Sequence, residues 1–473
     1  MSFSVSFRTF GCRLNQTETE GTAGAFAHAG ARIVSFGEPA DVVVFNTCTV
    51  TGKAEQKARR EMRLALRRNP DAVLLATGCY AEMEPGAIAA LAPRVVVLPG
   101  SRKSVLAKLA TALYSAHAEG FDPLDEARRI VAESLGTRVD PFWFSIGDFR
   151  LRSRASLKIQ DGCDNRCAYC RVCLARGGSV SLDPAEVVRR ARGLAAAGYP
   201  EIVLTGVNLS QYSSGGRAFP DLLEILARET DTVAYRVSSW EPDRVDDAFL
   251  RAFASPRVRP HLHLAVQSGA DPVLRAMGRA YRCDDVLRAA ASVRSAKGDP
   301  FIGADLIVGF PGETDEDFSA TMDFLAALDP AWVHVFPFSP RPGTRAWSMK
   351  PKIPERVAAL RAAEVAAFAT KSKRRFSERR IGNILEAVLE TGGYGDEEPA
   401  EAGPCFAIAD KDSSILHPAA LTAAPVLHTR ALSADYLKLE VHGVPAGYRG
   451  ACRCRATAPG MDDSVDLLAE FVE

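Results

Sequence analysis

The sequence contains no long apolar segment. No run approaches the roughly 18 consecutive apolar residues that a membrane-spanning helix needs, and the opening MSFSVSFR stretch lacks the apolar core of a secretory signal. Both absences argue against a helical membrane protein or an exported one. We therefore expect a cytoplasmic protein with no membrane partner.

The sequence also has no excess of charge of either sign. Its 58 Lys and Arg residues balance 58 Asp and Glu residues, which argues against a uniformly cationic nucleic-acid-binding protein but not against local basic patches. Hydrophobic residues make up 47% of the chain and charged residues 25%, so neither a disordered nor a fibrous protein fits. The chain does contain 11 cysteines. Without an export signal these should stay reduced, so metal or catalytic roles outrank a disulfide framework.

The periodicity of the chain predicts three regions within its 473 residues. Apolar stretches alternate with helical patterns over residues 1–114, which predicts a small parallel α/β domain, followed by a linker over 115–150. Six further strand and helix alternations over 151–375 predict an incomplete TIM-type (β/α)6 barrel with its chemistry at the carboxyl ends of the strands. Short strands between Gly and Pro turns predict a small β domain over 376–473, with an insertion or long loop near 392–425.

Three cysteines follow the first predicted barrel strand with C-x3-C-x2-C spacing: Cys163, Cys167 and Cys170. Three thiolates on one loop can each bind one iron of a [4Fe-4S] cluster and leave the fourth iron open to another ligand. A structural zinc site or unconnected buried thiols are the alternatives. Cys173 adds a second x2 spacing, as in a ferredoxin. If Cys173 bound the fourth iron, the cluster would transfer electrons without binding a substrate there; we interpret it as a spare thiol.

Three more cysteines, Cys12, Cys48 and Cys79, each follow one of the first three predicted strands. The carboxyl ends of strands in an open parallel sheet face one crevice, so these thiols are expected to converge on a shared ligand. The alternative is three buried core thiols. The remaining four cysteines show no such placement and are interpreted as small buried hydrophobic residues: Cys283, Cys405, Cys452 and Cys454.

Short motifs along nearly the whole chain resemble those of the radical S-adenosylmethionine methylthiotransferases. In the N-terminal region they are TFGCRLN at 9–15, followed by Glu18, then NTCTVT at 46–51 and TGC at 77–79. In the predicted barrel they are SLKIQ at 156–160, LTGV at 204–207, HLH at 261–263, QSG at 267–269 and GFPGET at 309–314. The N-terminal motifs are most similar to the subgroup that acts on N6-threonylcarbamoyladenosine in tRNA. Cys173 stands where this family usually has proline, and the 392–425 stretch departs from the compact form of the family's C-terminal module.

The resemblance implies two [4Fe-4S] clusters and S-adenosylmethionine as cofactors. Cys163, Cys167 and Cys170 would hold the cluster that binds and cleaves S-adenosylmethionine, and the deoxyadenosyl radical would take hydrogen from C2 of the adenine. The auxiliary cluster on Cys12, Cys48 and Cys79 would carry the sulfur, so no catalytic residue is expected beyond the cluster ligands. Tyr169 matches an aromatic position of the family and would lie against the adenine of the cofactor, with ordinary loop packing as the alternative. Four residues at or after strand ends should face the cofactor: Gly206, Ser239, Gln267 and Asp305.

The resemblance also implies the partners. The substrate would be the anticodon stem-loop of tRNA, modified at position 37, bound in part by a C-terminal β-barrel similar to the TRAM RNA-binding module; the electron and sulfur donors are unknown. The alternatives are the same chemistry on isopentenyladenosine tRNA or on a ribosomal protein, and a non-catalytic iron-sulfur protein that binds RNA or transfers electrons. Residues 52–68 hold seven Lys or Arg against two Glu, and residues 371–380 hold six against one. Both suit phosphate contacts, and we expect RNA at 371–380, next to the β domain.

Overall fold

The computed structural model describes residues 3–134, 140–143, 153–390, 428–445, 447–462 and 464–473. The insertion predicted near 392–425 and Cys405 lie outside the described residues. Within them, no helix is both long enough and apolar enough to cross a membrane.

The N-terminal region is a parallel α/β domain, as predicted. Its elements are β1 (Ser4–Thr9), α1 (Arg13–His28), β2 (Arg32–Val34), β3 (Val42–Thr47), α2 (Gly52–Arg68), β4 (Val73–Gly78), α3 (Cys79–Met83), α4 (Pro85–Ala89), β5 (Val95–Val97), α5 (Val105–Ala118) and α6 (Pro123–Ser134). The strands form one sheet in the order β2-β1-β3-β4-β5, with every pair parallel. Every residue of β3 and β4 is buried because helices cover both faces of a parallel sheet.

Two helices occupy the first part of the linker predicted over 115–150. Helix α5 continues to Ala118, and α6 occupies Pro123–Ser134. Four apolar residues of α6 pack in the core of the N-terminal domain, at the spacing of one helix face: Leu124, Ala127, Ile130 and Val131. The first half of the predicted linker therefore belongs to the N-terminal domain. The domain bounds as a whole stay a prediction.

The central region contains the six predicted strand and helix alternations. Its elements are β6 (Ala155–Lys158), β7 (Gln160–Asp161), α7 (Val172–Arg176), β8 (Val180–Ser181), α8 (Pro184–Ala196), β9 (Glu201–Thr205), β10 (Ser213–Ser214), β11 (Arg217–Ala218), α9 (Phe219–Glu229), β12 (Ala234–Val237), β13 (Ser239–Trp240), α10 (Asp247–Ala254), β14 (His261–Gln267), α11 (Asp271–Met277), α12 (Cys283–Lys297), β15 (Phe301–Val308), α13 (Asp315–Leu328), β16 (Trp332–Pro337) and α14 (Glu355–Glu378).

The barrel strands form two parallel runs, β6-β9-β12 and β13-β14-β15-β16. Only Ser238 separates β12 from β13, so the two runs make one curved sheet of six strand positions in chain order. Among the described residues β6 and β16 are not paired with each other. The incomplete barrel that the alternation predicts is confirmed.

The interior face of this barrel is polar. On β14 the apolar residues Leu262, Leu264 and Val266 pack in the core shared with the surrounding helices. The alternate residues His261 and His263 lie on the opposite face of the strand. The interior of a complete TIM barrel is usually filled by branched apolar side chains. The polar interior here suits the binding of a polar molecule.

The C-terminal region is a closed five-stranded barrel in the order β17-β18-β19-β21-β20. Its strands are β17 (Ile384–Leu389), β18 (His428–Ser433), β19 (Lys438–His442), β20 (Ala451–Pro459) and β21 (Leu467–Phe471). The small β domain is confirmed.

Two ion pairs of the segment 371–380 join the central region to the C-terminal barrel: Lys373 with Asp466, and Arg380 with Asp435. Five of the six basic residues in that segment have an acidic partner within 3.2 Å: Lys373 with Asp466, Arg374 with Glu378, Arg375 with Asp329, Arg379 with Asp299, and Arg380 with Asp435. The pairs of Arg374, Arg375 and Arg379 are solvent-exposed and therefore weak. The RNA contact expected at this segment stays a prediction.

Candidate active site at the domain interface

The first three cysteines meet at the carboxyl edge of the N-terminal sheet. Cys12 follows β1, Cys48 directly follows β3, and Cys79 directly follows β4. Gly11 has a φ of 101°, and a Cβ atom there would lie 2.9 Å from the Cys48 Sγ. Burial raises the pKa of Cys12 to about 11, the Arg176 guanidinium opposes this rise, and the neighbouring Cys48 and Cys79 add to it. The structure thus brings these three thiols into one another's electrostatic field.

The other three predicted ligands lie on the loop that follows β7. The loop is held by hydrogen bonds from the Cys163 amide to the Gly177 carbonyl at 3.1 Å and from the Ala168 amide to the Met277 carbonyl at 2.8 Å. Burial raises the pKa of Cys170 to about 12, and the nearby thiols of Cys167, Cys163 and Cys173 add to the rise. The thiols of this loop therefore lie within one another's electrostatic influence.

Two polar side chains that the sequence did not single out contact this cysteine loop. Arg279 Nη1 donates to the Cys167 Sγ at 3.1 Å, and Asn208 Nδ2 donates to the Cys163 Sγ at 3.8 Å. Glu241 forms an ion pair with Arg279 and also lies 3.4 Å from Asn208 Nδ2. A cation and an amide donor favour sulfur in its anionic form, which is the form that binds iron.

Cys173 lies on α7, next to the cysteine loop. Its Sγ lies 4.0 Å from the carbonyl oxygen of Cys170, so the side chain is directed back along its own turn. The interpretation of Cys173 as a spare thiol stays a prediction.

The two thiol triplets have the donor chemistry of iron-sulfur sites, because such clusters are held by cysteine thiolates. Among the described residues, no three His, Cys, Asp or Glu side chains form a group that could hold a single metal ion. Both thiol triplets fit a [4Fe-4S] cluster by the chemistry of their donors. The ligand assignments remain predictions.

A buried contact joins the two cysteine regions. Arg171, which follows Cys170, donates from Nη1 to the Oγ1 of Thr49 at 3.3 Å, and Thr49 follows Cys48. The Thr49 hydroxyl also bonds to Glu55 at 2.6 Å. Glu55 forms ion pairs with both Arg171 and Arg341. The loops that carry the two thiol triplets therefore face each other across the domain interface.

A second buried network crosses the same interface around Glu18 of α1. Its carboxylate binds Lys103, Lys158 at 2.9 Å and Arg176 at 2.9 Å, and Asp161 binds the latter two cations at 2.6 and 3.0 Å. Burial would raise the pKa of Glu18, but the three cations hold it well below its usual range. Three cations against two carboxylates leave an excess positive charge, which suits a neighbouring group of thiolates.

The structure brings two of the predicted cofactor contacts together through a histidine. Ser239 Oγ lies 3.2 Å from His263 Nδ1, and His263 Nε2 lies 3.2 Å from Asp305 Oδ1. The His263 and Asp305 atoms are buried and close, yet they are not aligned as a hydrogen bond. Buried polar atoms without a well-aligned partner fit a site that takes a polar ligand.

The remaining predicted cofactor contacts lie around the same end of the barrel. Gly206 follows β9, and a Cβ atom there would lie 2.8 Å from Gln160 Oε1, so only glycine fits. Gln267 ends β14 with a φ of 68°, a strained conformation for a residue with a side chain. Tyr169 packs against the apolar cluster of Met277 and Phe310, which accounts for its position by loop packing. The cofactor roles of these residues stay predictions.

Two family models match the chain. The model of the uncharacterized protein family UPF0004 matches residues 4–100, and that of the radical SAM superfamily matches residues 157–325. These ranges correspond to the N-terminal α/β domain and to most of the incomplete barrel.

Curated relatives cover most of the chain. The threonylcarbamoyladenosine tRNA methylthiotransferase MtaB of Treponema pallidum is 42% identical over 439 residues, covering 82% of this chain and 91% of the relative. The protein of the same name from Bacillus subtilis is 34% identical, covering 84% and 86%. A tRNA-2-methylthio-N(6)-dimethylallyladenosine synthase from Acidothermus cellulolyticus is 33% identical, covering 83% and 78%.

A solved structure shares the fold. The radical S-adenosylmethionine methyltransferase TsrM of Kitasatospora setae, with cobalamin and a [4Fe-4S] cluster bound, superposes with a TM-score of 0.51 at 18% identity, covering 71% of this chain and 75% of that one. At that identity the likeness concerns the fold alone.

Proposed function

The chain belongs to the family of the MtaB threonylcarbamoyladenosine tRNA methylthiotransferases, and from this premise we propose that it converts N6-threonylcarbamoyladenosine, next to the anticodon of tRNA, to its 2-methylthio derivative. The proposed reaction uses two molecules of S-adenosylmethionine, one for the radical and one for the methyl group. The observation that carries the proposal is the Arg171–Thr49 hydrogen bond, because it places the two thiol loops opposite each other.

The cofactors would supply the reactivity: when bound, the cluster at Cys163, Cys167 and Cys170 provides the electron that cleaves S-adenosylmethionine, and the cluster at Cys12, Cys48 and Cys79 provides the sulfur. The chain's own residues orient these groups. Arg279 and Asn208 hold two thiols of the barrel loop in place by hydrogen bonds. Glu18 and Glu55 hold the two domains together through buried cations.

The polar interior of the barrel would receive the cofactor and the target base. Ser239, His263 and Asp305 present hydroxyl, imidazole and carboxylate groups there, and the order of the strand ends supports cofactor contacts at Gly206 and Gln267. An adenine in an anticodon loop can be splayed out of its stack into such a site. We therefore propose the anticodon stem-loop of tRNA as the recognised element; this partner also agrees with a cytoplasmic location.

Nucleoside mass spectrometry tests the proposed function. Anaerobically reconstituted protein, given S-adenosylmethionine, a reductant, a sulfide source and tRNA that carries N6-threonylcarbamoyladenosine, should form the 2-methylthio nucleoside. A parallel reaction with tRNA that carries isopentenyladenosine is the control for the substrate. Product only in that control would reassign the substrate, and cofactor cleavage without product on either tRNA would contradict a tRNA methylthiotransferase.

A further inference from the structure

Helix α2 carries both of its acidic residues on the face that points into the protein. Glu61 is buried and accepts a hydrogen bond from Arg8 Nε at 2.6 Å. Glu55 is buried and pairs with Arg171 and Arg341 of the central domain. Arginines from outside the helix thus pair with both carboxylates, and among the described residues Lys57 is the one outer-face cation of α2 within ion-pair distance of either.

The outer face of α2 is a stripe of exposed cations, which we name the α2 basic face: Lys53, Lys57, Arg60, Arg63 and Arg67. Their spacing of three or four residues places them on one side of the helix, over about 21 Å at 1.5 Å per residue. In the part of the chain that the structure describes, no acidic group lies within ion-pair distance of the three arginines. Lys53 lies 3.8 Å from the exposed Glu355, and Lys57 lies 4.0 Å from Glu61.

The α2 basic face extends from the candidate active site. The helix begins at Gly52, shortly after Cys48, and the Gly52 amide donates to the Ser339 hydroxyl of the central domain at 3.2 Å. An anionic partner lying along this face would therefore reach the interface at which the thiol loops meet. A row of five exposed cations, three of which have no acidic partner among the described residues, is the electrostatic footprint of a surface that binds a nucleic-acid backbone.

We propose that the α2 basic face binds the phosphate backbone of the substrate tRNA. This inference rests on the proposed function, because tRNA is the polyanion of that reaction. The contrast with residues 371–380 supports it: that segment has a similar charge by sequence, but five of its six basic side chains have an acidic partner within 3.2 Å. Phosphate contacts position an RNA without reading its sequence, so the face orients the stem while the base is recognised at the interface.

The test removes the three unpaired charges by the changes Arg60→Gln, Arg63→Gln and Arg67→Gln in the full-length reconstituted protein. Glutamine has nearly the helix propensity of arginine. The probe is tRNA that carries N6-threonylcarbamoyladenosine, and its Kd is measured at several NaCl concentrations. We expect binding about 10- to 100-fold weaker at low salt, and a slope of log K against log[NaCl] that is about 2–3 smaller. Iron content and circular dichroism should match the unchanged protein.

Two matched variants serve as controls. The changes Arg189→Gln, Arg228→Gln and Arg251→Gln remove the same charge from the outer barrel helices α8, α9 and α10, and they should leave both the Kd and the salt slope unchanged. The changes Arg60→Lys, Arg63→Lys and Arg67→Lys should retain most of the binding, because a phosphate contact needs the charge rather than the shape of the guanidinium.

An unchanged Kd and salt slope in the glutamine variant would overturn the inference, as would an equal loss in the outer-helix control. Failure of the proposed function has a different signature: the unchanged protein itself would then neither bind nor modify this tRNA.

Discussion

Cys48 allows the tasks of the two thiol triplets to be separated at a single residue. It lies directly after β3 and is buried against Gly11. We expect Cys48→Ala to release deoxyadenosine from S-adenosylmethionine but to form no methylthiolated nucleoside, because radical generation needs only the barrel triplet. Chromatography of both products from one reaction checks this. Cys283→Ala, a half-buried thiol outside both triplets, should leave both products unchanged. Normal product from Cys48→Ala would make Cys48 an ordinary core thiol.

Cys173 tests the alternative ferredoxin-like arrangement. Its side chain is directed toward the Cys170 carbonyl, 4.0 Å away, so it should contribute packing only. We expect Cys173→Ala to keep the full iron content and to cleave S-adenosylmethionine at close to the unchanged rate. Loss of four irons in this variant would instead identify Cys173 as a cluster ligand and favour an electron-transfer role.

The residues of the candidate site differ in how far sequence could predict them. The convergence of Cys12, Cys48 and Cys79 follows from a topological rule, since the carboxyl ends of parallel strands share an edge. Arg171 and Thr49 are 122 positions apart, and their contact depends on how two domains dock. A count of charges along α2 likewise cannot show which of its cations are unpaired, because it ignores which face of the helix each acidic residue occupies.

At the scale of elements, the loop after β7 and the strand ends of the N-terminal sheet should each hold one cluster. We expect about eight irons per reconstituted chain, at four per cluster. Alanine at Cys163, Cys167 and Cys170 should leave about four, and so should alanine at Cys12, Cys48 and Cys79. Iron analysis with absorption spectroscopy measures both. Full iron content in either triple variant would exclude that element as a cluster site.

The elements that sequence missed are those with the least local pattern. Strand β2 has only three residues, Arg32–Val34, and lies at the sheet edge, so it lacks the buried apolar run that marks β3 and β4. Helix α6 begins at the proline of a Gly-Phe-Asp-Pro stretch, a sequence typical of a loop. The apolar residues of α6 meet a core built from distant strands. Long buried strands can be recognised from their own apolar residues. The structure of edge strands and of segments between domains depends instead on residues elsewhere in the chain.

At the scale of the whole molecule, a buried carboxylate links the central barrel to the C-terminal barrel. Glu201 accepts hydrogen bonds from Arg236 Nε at 2.8 Å and Arg259 Nε at 3.0 Å. Arg236 also donates to the Ser433 carbonyl at 3.2 Å, and Arg259 to Glu386 at 2.6 Å. These two arginines thus contact both domains at once, and Glu201 holds both of them in place.

Glu201→Gln should destabilise the protein in a way that depends on pH. Burial alone would raise the pKa of Glu201, but the surrounding arginines together have the larger effect. They lower the pKa to about 2 from an unfolded value of about 4.5. A depressed folded pKa means that the stabilisation is fully present above pH 4.5 and is lost as the pH falls toward 2. At pH 7 we expect a loss of about 3–5 kcal/mol, since the variant leaves buried guanidinium groups without their anion. Urea unfolding at pH 7, 4 and 3 should show that this loss of unfolding free energy becomes smaller as the pH falls.

The control is Glu186→Gln. The pKa of Glu186 is also lowered to about 2, by Arg189 and Arg190. Glu186 lies at the surface, however, where water screens the ion pairs, so the loss should be about 1 kcal/mol or less. Equal losses in the two variants, or a Glu201 loss that does not change with pH, would show that burial of the ion cluster does not hold the two barrels together.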